Sequence, residues 1–196
     1  QDLYECRDDA WHGAEAHLAK LKRLPLISVI VPTYNTPEPW LRRCIESMRE
    51  QVYPNWELCV ADDASTDPRV YEVLSEYSSL DSRVRVIRRE TNGHISAASN
   101  SALELAQGEF IGLLDHDDEL HPMALFETIR AFEVNPDWEM LFTDEDKIDP
   151  SGHRADPYFK SDWNPDLFLS QNCVCHFTVY RAARMRHAGG FREGFE

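Results

Sequence analysis

Residues Glu109 to Leu120 read "EFIGLLDHDDEL", an apolar run that breaks into three aspartates, Asp115, Asp117 and Asp118, with His116 among them. A short apolar run bounded in this way reads as a buried strand, which puts the acids at its carboxyl end. Carboxylates this close repel one another unless solvent, protons or a cation screens them. The chain already carries a net charge of -15, with 35 acidic against 20 basic residues. Further crowding of negative charge therefore raises the question of a metal ion.

Outward from this stretch the same alternation repeats. "PLISVIVP" (Pro25–Pro32) is a β-branched run between prolines and reads as a buried strand. Thr36 is placed to cap a helix with Pro37 at its first position, and Trp40, Leu41, Cys44, Ile45 and Met48 fall on one face of it. "WELCVAD" reads as a strand, "PRVYEVLSEYSS" as a helix, "RVRVIRR" as a strand and "HISAASNSALELAQG" as a helix closed by Gly108. "PMALFETIRAFEVN" follows the acidic stretch as a helix, and "WEMLFTD" as a strand. Strands alternating with helices of this length predict an α/β fold, a mostly parallel sheet with helices on both faces. Residues Leu3 to Leu24 read as an additional helix, with Trp11, Leu18, Leu21 and Leu24 as its apolar members. The expected organisation is an N-terminal helical segment or linker over residues 1–24 and one domain over residues 25–196.

In parallel sheets ligands bind beyond the carboxyl ends of the strands. The residues expected there are Pro32, Thr33, Tyr34 and Asn35, then Asp62 and Asp63, then Asp115 to Asp118, then Thr143, Asp144, Glu145 and Asp146. Asp115 and Asp117, two apart in a loop, can turn toward one ion of the Mg²⁺ or Mn²⁺ type. The same spacing also suits a solvated turn before the next helix. "DDAST" (Asp62–Thr66) makes a turn, or offers Asp63 to the imide N–H of a pyrimidine base. Tyr34 can pack on such a base. "NGHISAASN" (Asn92–Asn100) is rich in small residues, which suits phosphate approaching a helix N-terminus and equally suits close packing on a sheet. It lacks the spacing of a P-loop or a G-x-G-x-x-G turn. "CVCH" (Cys173–His176) has no second Cys/His pair and does not make a zinc site; Cys173 and Cys175 are expected on one face of a strand, with His176 available to join the aspartates around a metal.

Composition narrows the partners. Hydrophobic residues make up 42% and aromatics 11%, which describes a globular chain. The acidic balance argues against a nucleic-acid surface. No apolar run reaches the roughly 20 residues of a membrane span, and the polar, acidic start is not a signal peptide. Five cysteines, mostly in apolar contexts, suit reduced thiols in a cytoplasmic protein. A start at Gln1 rather than Met suggests a piece of a longer polypeptide.

Taken together, "PLISVIVPTYN", "YPNWELCVADDASTD", "NGHISAASNSALELAQGEFIGLLDHDDEL", "LFTDEDKID", "PYFKSDWNPDLFLSQN" and "GGFREGF" resemble the bacterial family 2 glycosyltransferases of surface polysaccharide assembly, from about Pro25 to Glu196 and in the same order. The resemblance implies a GT-A fold and inverting, metal-dependent transfer of a sugar from a nucleotide-diphosphate donor, UDP- or dTDP-linked, to a glycan or lipid-linked glycan acceptor. Pro32, Thr33, Tyr34 and Asn35 match the part that lines the nucleoside, and Asp63 the base-recognising acid. His94 and Ser96 fall on the diphosphate side. Asp115 and Asp117 match the D-x-D pair, with Asp117 the direct ligand of Mn²⁺ or Mg²⁺ and Asp115 nearer the ribose or the metal's waters; His116 is expected at the donor, and His176 is available to complete the metal site. Asp144, Glu145 and Asp146 fall on the acceptor side. Many members carry an arginine where this chain has Ser99, which shifts the burden of charge to His94 or the metal. The general base of the family follows "GGFREGF" by a few residues, so it is expected beyond Glu196. Other domains of the same polypeptide, and at most peripheral contact with the inner membrane face, complete the expectation. Two other readings remain open from sequence: a nucleotide-sugar binding module without turnover, and a phosphoacceptor domain built on Asp62, Asp63 and Asp115.

Overall fold

The structure is a computed structural model that describes residues 7–21 and 23–195. A six-stranded sheet runs in the order β3-β2-β1-β4-β8-β5. Its parallel half is β1 (Ile27–Thr33), β2 (Trp56–Asp62), β3 (Val84–Arg88) and β4 (Phe110–Leu113). Strand β5 (Met140–Phe142) joins through β8 (Thr178–Arg181), which runs antiparallel to both β4 and β5. A separate hairpin pairs β6 (Glu145–Ile148) with β7 (Arg154–Tyr158).

The continuous apolar runs of β1 and β2 are explained by burial on both faces, as parallel strands require. Val29 and Val31 of β1, with Leu58 and Val60 of β2, enter one core, while Ile30, Cys59 and Ala61 enter the other. The first core is closed by α2 (Glu38–Arg49), α3 (Pro68–Leu80) and α5 (Ala124–Val134), and the second by α4 (His94–Leu105) and α7 (Ala182–His187). A short helix, α6 (Pro165–Ser170), lies between β7 and β8.

The N-terminal helix, α1, spans Arg7–Leu18. Its Ala14 is buried and Leu18, Leu21 and Leu24 pack on the first core; His17 meets Glu133 of α5 at 3.0 Å and the Phe126 ring edge-on. The part of the expected helix before Arg7 lies outside the described residues.

Several local expectations are corrected. Thr36 does not cap α2: Pro37 holds the cap position, and the Thr36 hydroxyl bonds to that of Thr33 instead. Trp40 is half exposed rather than part of the buried face formed by Leu41, Cys44, Ile45 and Met48. Cys173 and Cys175 lie in a turn and the loop after it, and the strand begins only at Thr178.

Gly108 does not close α4, which ends at Leu105. It is forced by contact with β1. A Cβ there would lie 2.6 Å from Ser28 Oγ and 2.7 Å from the Leu26 carbonyl oxygen. The Gly108 N–H donates to Ser28 Oγ, whose hydroxyl donates to Glu57, and Glu57 also accepts from the Gln107 N–H and from Arg85. This buried network ties β1, β2 and the entry to β4 together. Gly108→Ala is expected to destabilise the fold by roughly 1–3 kcal/mol through overpacking against backbone that cannot yield. Urea unfolding of the two proteins side by side measures it.

Candidate functional site

The carboxyl ends of β1, β2 and β4 open onto a cavity of about 430 Å³. Pro32, Thr33 and Tyr34 line it from β1, Asp63 from β2, and Asp115, His116 and Asp117 from the loop after β4; Asn92, His94, Ile95 and Ala98 complete it from α4 and the turn before it. A second cavity of about 130 Å³ adjoins it, sharing Pro32, Ile95 and Asp115, and includes Ser96 and Ser99. Eight of the residues expected at a donor site thus face one space, and Ser96 faces the smaller neighbour.

Asn35 is engaged elsewhere. Its backbone takes a positive φ of 50° and its side-chain oxygen accepts from the Thr66 and Asp67 N–H groups. It shapes the turn after β2 rather than lining the cavity.

Asp63 is almost fully buried and held from two sides. Both its oxygens accept from the Gly93 N–H at the start of α4, at 3.1 and 3.0 Å, and Arg89 Nε lies 2.7 Å from Oδ1. Arg89 in turn donates to the Ala97 carbonyl and to Ser101 of α4. Asp62 has a similar companion in Arg88, whose Nε lies 3.4 Å away. The arginines at the end of β3 were not singled out in the sequence. The available signal was their place, opposite the two acids at the neighbouring strand end.

The acids after β4 have no such companions. Among the described residues, none of Asp115, Asp117 and Asp118 pairs with a lysine or arginine. Their nearest partners are imidazoles. His176 Nδ1 lies 3.1 Å from Asp115 Oδ2 and 3.4 Å from Asp118 Oδ2, while His116 Nδ1 is 3.8 Å from Asp117 Oδ1. One ligand atom from each of Asp115, Asp118 and His176 falls within 4.8 Å of the others. Two carboxylate oxygens and an imidazole nitrogen suit a divalent cation, Mn²⁺ well among them. Asp118 enters this group because its N–H donates to the Asp115 carbonyl, a turn that brings the third residue back beside the first. Asp117 instead faces the cavity.

The acids of the hairpin support the cluster. The His176 N–H donates to Glu145 Oε2, which also accepts from Lys160 Nζ at 2.8 Å. The Lys160 side chain is 3% exposed, and its backbone N–H donates to Asp144 Oδ1. Asp146 accepts from Arg154 at 2.8 Å. Lys160 was not anticipated: its burial depends on a hairpin that the local pattern does not announce.

An open α/β sheet with its cavity and acids at the carboxyl edge is the arrangement of a nucleotide-binding enzyme. Comparison with known proteins narrows the class: residues 28–187 match "Glycosyl transferase family 2", and the chain belongs to that family. It is 53% identical over 177 residues to the uncharacterized protein y4gI of Sinorhizobium fredii, covering 90% of this chain and 20% of that protein. To the O-antigen biosynthesis protein RfbC of Myxococcus xanthus it is 42% identical over 184 residues, covering 94% of this chain and 14% of the other. The crystal structure of S. aureus TarS in complex with UDP-GlcNAc superposes with a TM-score of 0.68 at 26% identity, over 84% of this chain and 48% of that one. The fold is therefore the GT-A fold and the domain that of a glycosyltransferase. The chain spans at most a fifth of the length of these two curated relatives, and about half of the TarS chain.

The acid cluster binds protons when no cation is present. Burial raises the Asp118 carboxyl above its ordinary value, with His176 opposing and Asp115, Asp117 and Glu145 reinforcing the rise. For His176 burial works downward, yet the hydrogen bond to Asp115 and the charges of Asp118 and Glu145 raise it above 6.5. Both groups hold protons more tightly folded than unfolded, so both stabilise the metal-free fold at low pH and lose that contribution as pH rises. The Asp118 part fades above the ordinary carboxylate range, the His176 part as pH climbs through its raised value. Metal-free protein is expected to lose stability as pH rises from the carboxylate range through the imidazole range, with the upper part of that slope absent in His176→Gln. Thermal unfolding across pH in the presence of a chelator measures both.

Proposed function

We propose that this domain transfers a sugar, with inversion, from a nucleotide-diphosphate donor to a hydroxyl of a glycan or lipid-linked glycan, in polysaccharide or O-antigen-type assembly at the cytoplasmic face of the membrane. The observation that carries this reading is that Asp115 and Asp117 line a cavity of about 430 Å³, with Asp118 beside Asp115, and that among the described residues no lysine or arginine pairs with any of the three. Such an edge suits a ligand that brings its own cation and its own phosphates.

In this reading Pro32, Thr33 and Tyr34 hold the nucleoside, with the half-exposed Tyr34 ring packing on the base. Asp63, faced by Arg89, presents an acceptor to the imide N–H of uracil or thymine. His94 stands at the phosphate side, and Asp115 and His116 meet the ribose. Asp115, Asp118 and His176 hold Mn²⁺ or Mg²⁺, with Asp117 approaching from the cavity. When bound, the cation neutralises the diphosphate and stabilises the charge that grows on it as it leaves. Asp144, Glu145 and Asp146 hold the acceptor side in shape. The exposed Phe159, Trp163 and Phe168, which follow β7 in the chain, suit a sugar ring, the Trp163 and Phe168 ring centroids lying 5.1 Å apart. The name of RfbC and the UDP-GlcNAc bound to TarS support a role in glycan assembly and a UDP-linked donor.

Calorimetric titration of UDP, dTDP and GDP, with and without Mn²⁺, tests the reading. UDP or dTDP is expected to bind only with the metal, and Asp117→Ala or Asp118→Asn to weaken that binding about tenfold or more. Metal-independent binding, or binding untouched by both substitutions, would sink the assignment.

A further inference from the structure

The smaller cavity has a chemistry of its own. Ile30, Leu113, Leu114 and Phe191 give it apolar walls, Ser96 and Ser99 bring hydroxyls to it, and Asp115 lines it as well, on the side shared with the larger cavity. These serines are three apart on α4 and so share one face of that helix. Ser96 is 8% and Ser99 4% exposed, yet among the described residues neither hydroxyl makes a hydrogen bond. Neighbouring Ser101, by contrast, donates back to the Ala97 carbonyl in the ordinary helical manner. Both hydroxyls are therefore free to bond a group that enters the cavity, which shares Pro32, Ile95 and Asp115 with the larger one.

The cavity is also held in shape. The Asn100 side chain bonds the Phe191 backbone twice, donating to its carbonyl at 2.9 Å and accepting from its N–H at 2.8 Å. Gly190 before it has a φ of 75°, and a Cβ there would lie 2.5 Å from Asn100 Oδ1. The Phe191 wall therefore does not depend on a ligand to form.

We infer that this cavity receives the acetamido group of a 2-acetamido-2-deoxyhexose donor, a selectivity that rests on the larger cavity being the donor site. An acetamido group offers one N–H, one carbonyl and one methyl, which match two hydroxyls and an apolar wall. The methyl of a deoxysugar would leave both serines unpaired, and a plain hydroxyl would leave the wall in contact with water. At about 130 Å³, against roughly 30 Å³ for a water molecule in the liquid, the space holds several non-hydrogen atoms but not a sugar ring with its substituents.

The test is titration of the protein, with Mn²⁺ present, by UDP, by UDP-GlcNAc against UDP-Glc, and by UDP-GalNAc against UDP-Gal. At least one acetamido donor is expected to bind about tenfold more tightly than its hydroxyl counterpart, as one buried methyl and one hydrogen bond supply. That ratio should fall toward one in Ser99→Leu, which fills the cavity, and shrink in Ser99→Ala, which removes only a hydroxyl. If UDP binds but neither pair is discriminated, or if Ser99→Leu and Ser99→Ala both leave the ratio intact, the inference fails while the donor site stands. If UDP does not bind, the donor-site reading fails and takes the inference with it.

Discussion

The site depends on one constraint, the parallel pairing of β1 with β2 on one side and β4 on the other. The register sets Thr33 opposite Asp62 and Ile30 opposite Leu113. β1, β2 and β4 therefore leave the sheet at the same edge, and so do the acids that follow them. The molecule meets the resulting repulsion in two ways. At the end of β2 it supplies guanidinium groups from β3, Arg88 to Asp62 and Arg89 to Asp63. At the end of β4 it supplies only imidazole, which balances charge when protonated and binds metal when not. The first pair thus has fixed positive partners, whereas among the described residues the second has none.

Much of the fold follows from period and punctuation. The runs of β1 and β2 are largely apolar because successive residues feed opposite cores, and that pattern is visible without coordinates. The edge on which the acids gather follows once the strands alternate with helices. What stayed hidden depends on where a backbone turns. The spacing of Asp115 and Asp117 draws attention to a pair two apart. A turn closed by the Asp118 N–H on the Asp115 carbonyl brings the third residue, not the second, alongside the first. Thr36 reads as a cap until Thr33 takes its hydroxyl.

The late part of the chain was the least legible, for a related reason. Strand β8 enters the sheet antiparallel between β4 and β5, a pairing across more than sixty residues that no local pattern encodes. It delivers His176 to Asp115 and Asp118, so a residue from the far end of the sequence completes a cluster begun by the loop after β4. Lys160 reaches Glu145 because β7 pairs back on β6 with Tyr158 opposite Glu145, two residues before the lysine.

These contacts also separate support from chemistry among the hairpin acids. A general base has to exchange a proton with the attacking hydroxyl, which favours a carboxylate free to do so. Glu145 accepts from the Lys160 ammonium and the His176 N–H, Asp146 from Arg154, and Asp144 from the Lys160 N–H. Through these bonds the three carboxylates support His176, the backbone at Lys160 and the hairpin. Their value lies in staying as they are. By contrast, among the described residues the Asp115, Asp118 and His176 group pairs with no lysine or arginine.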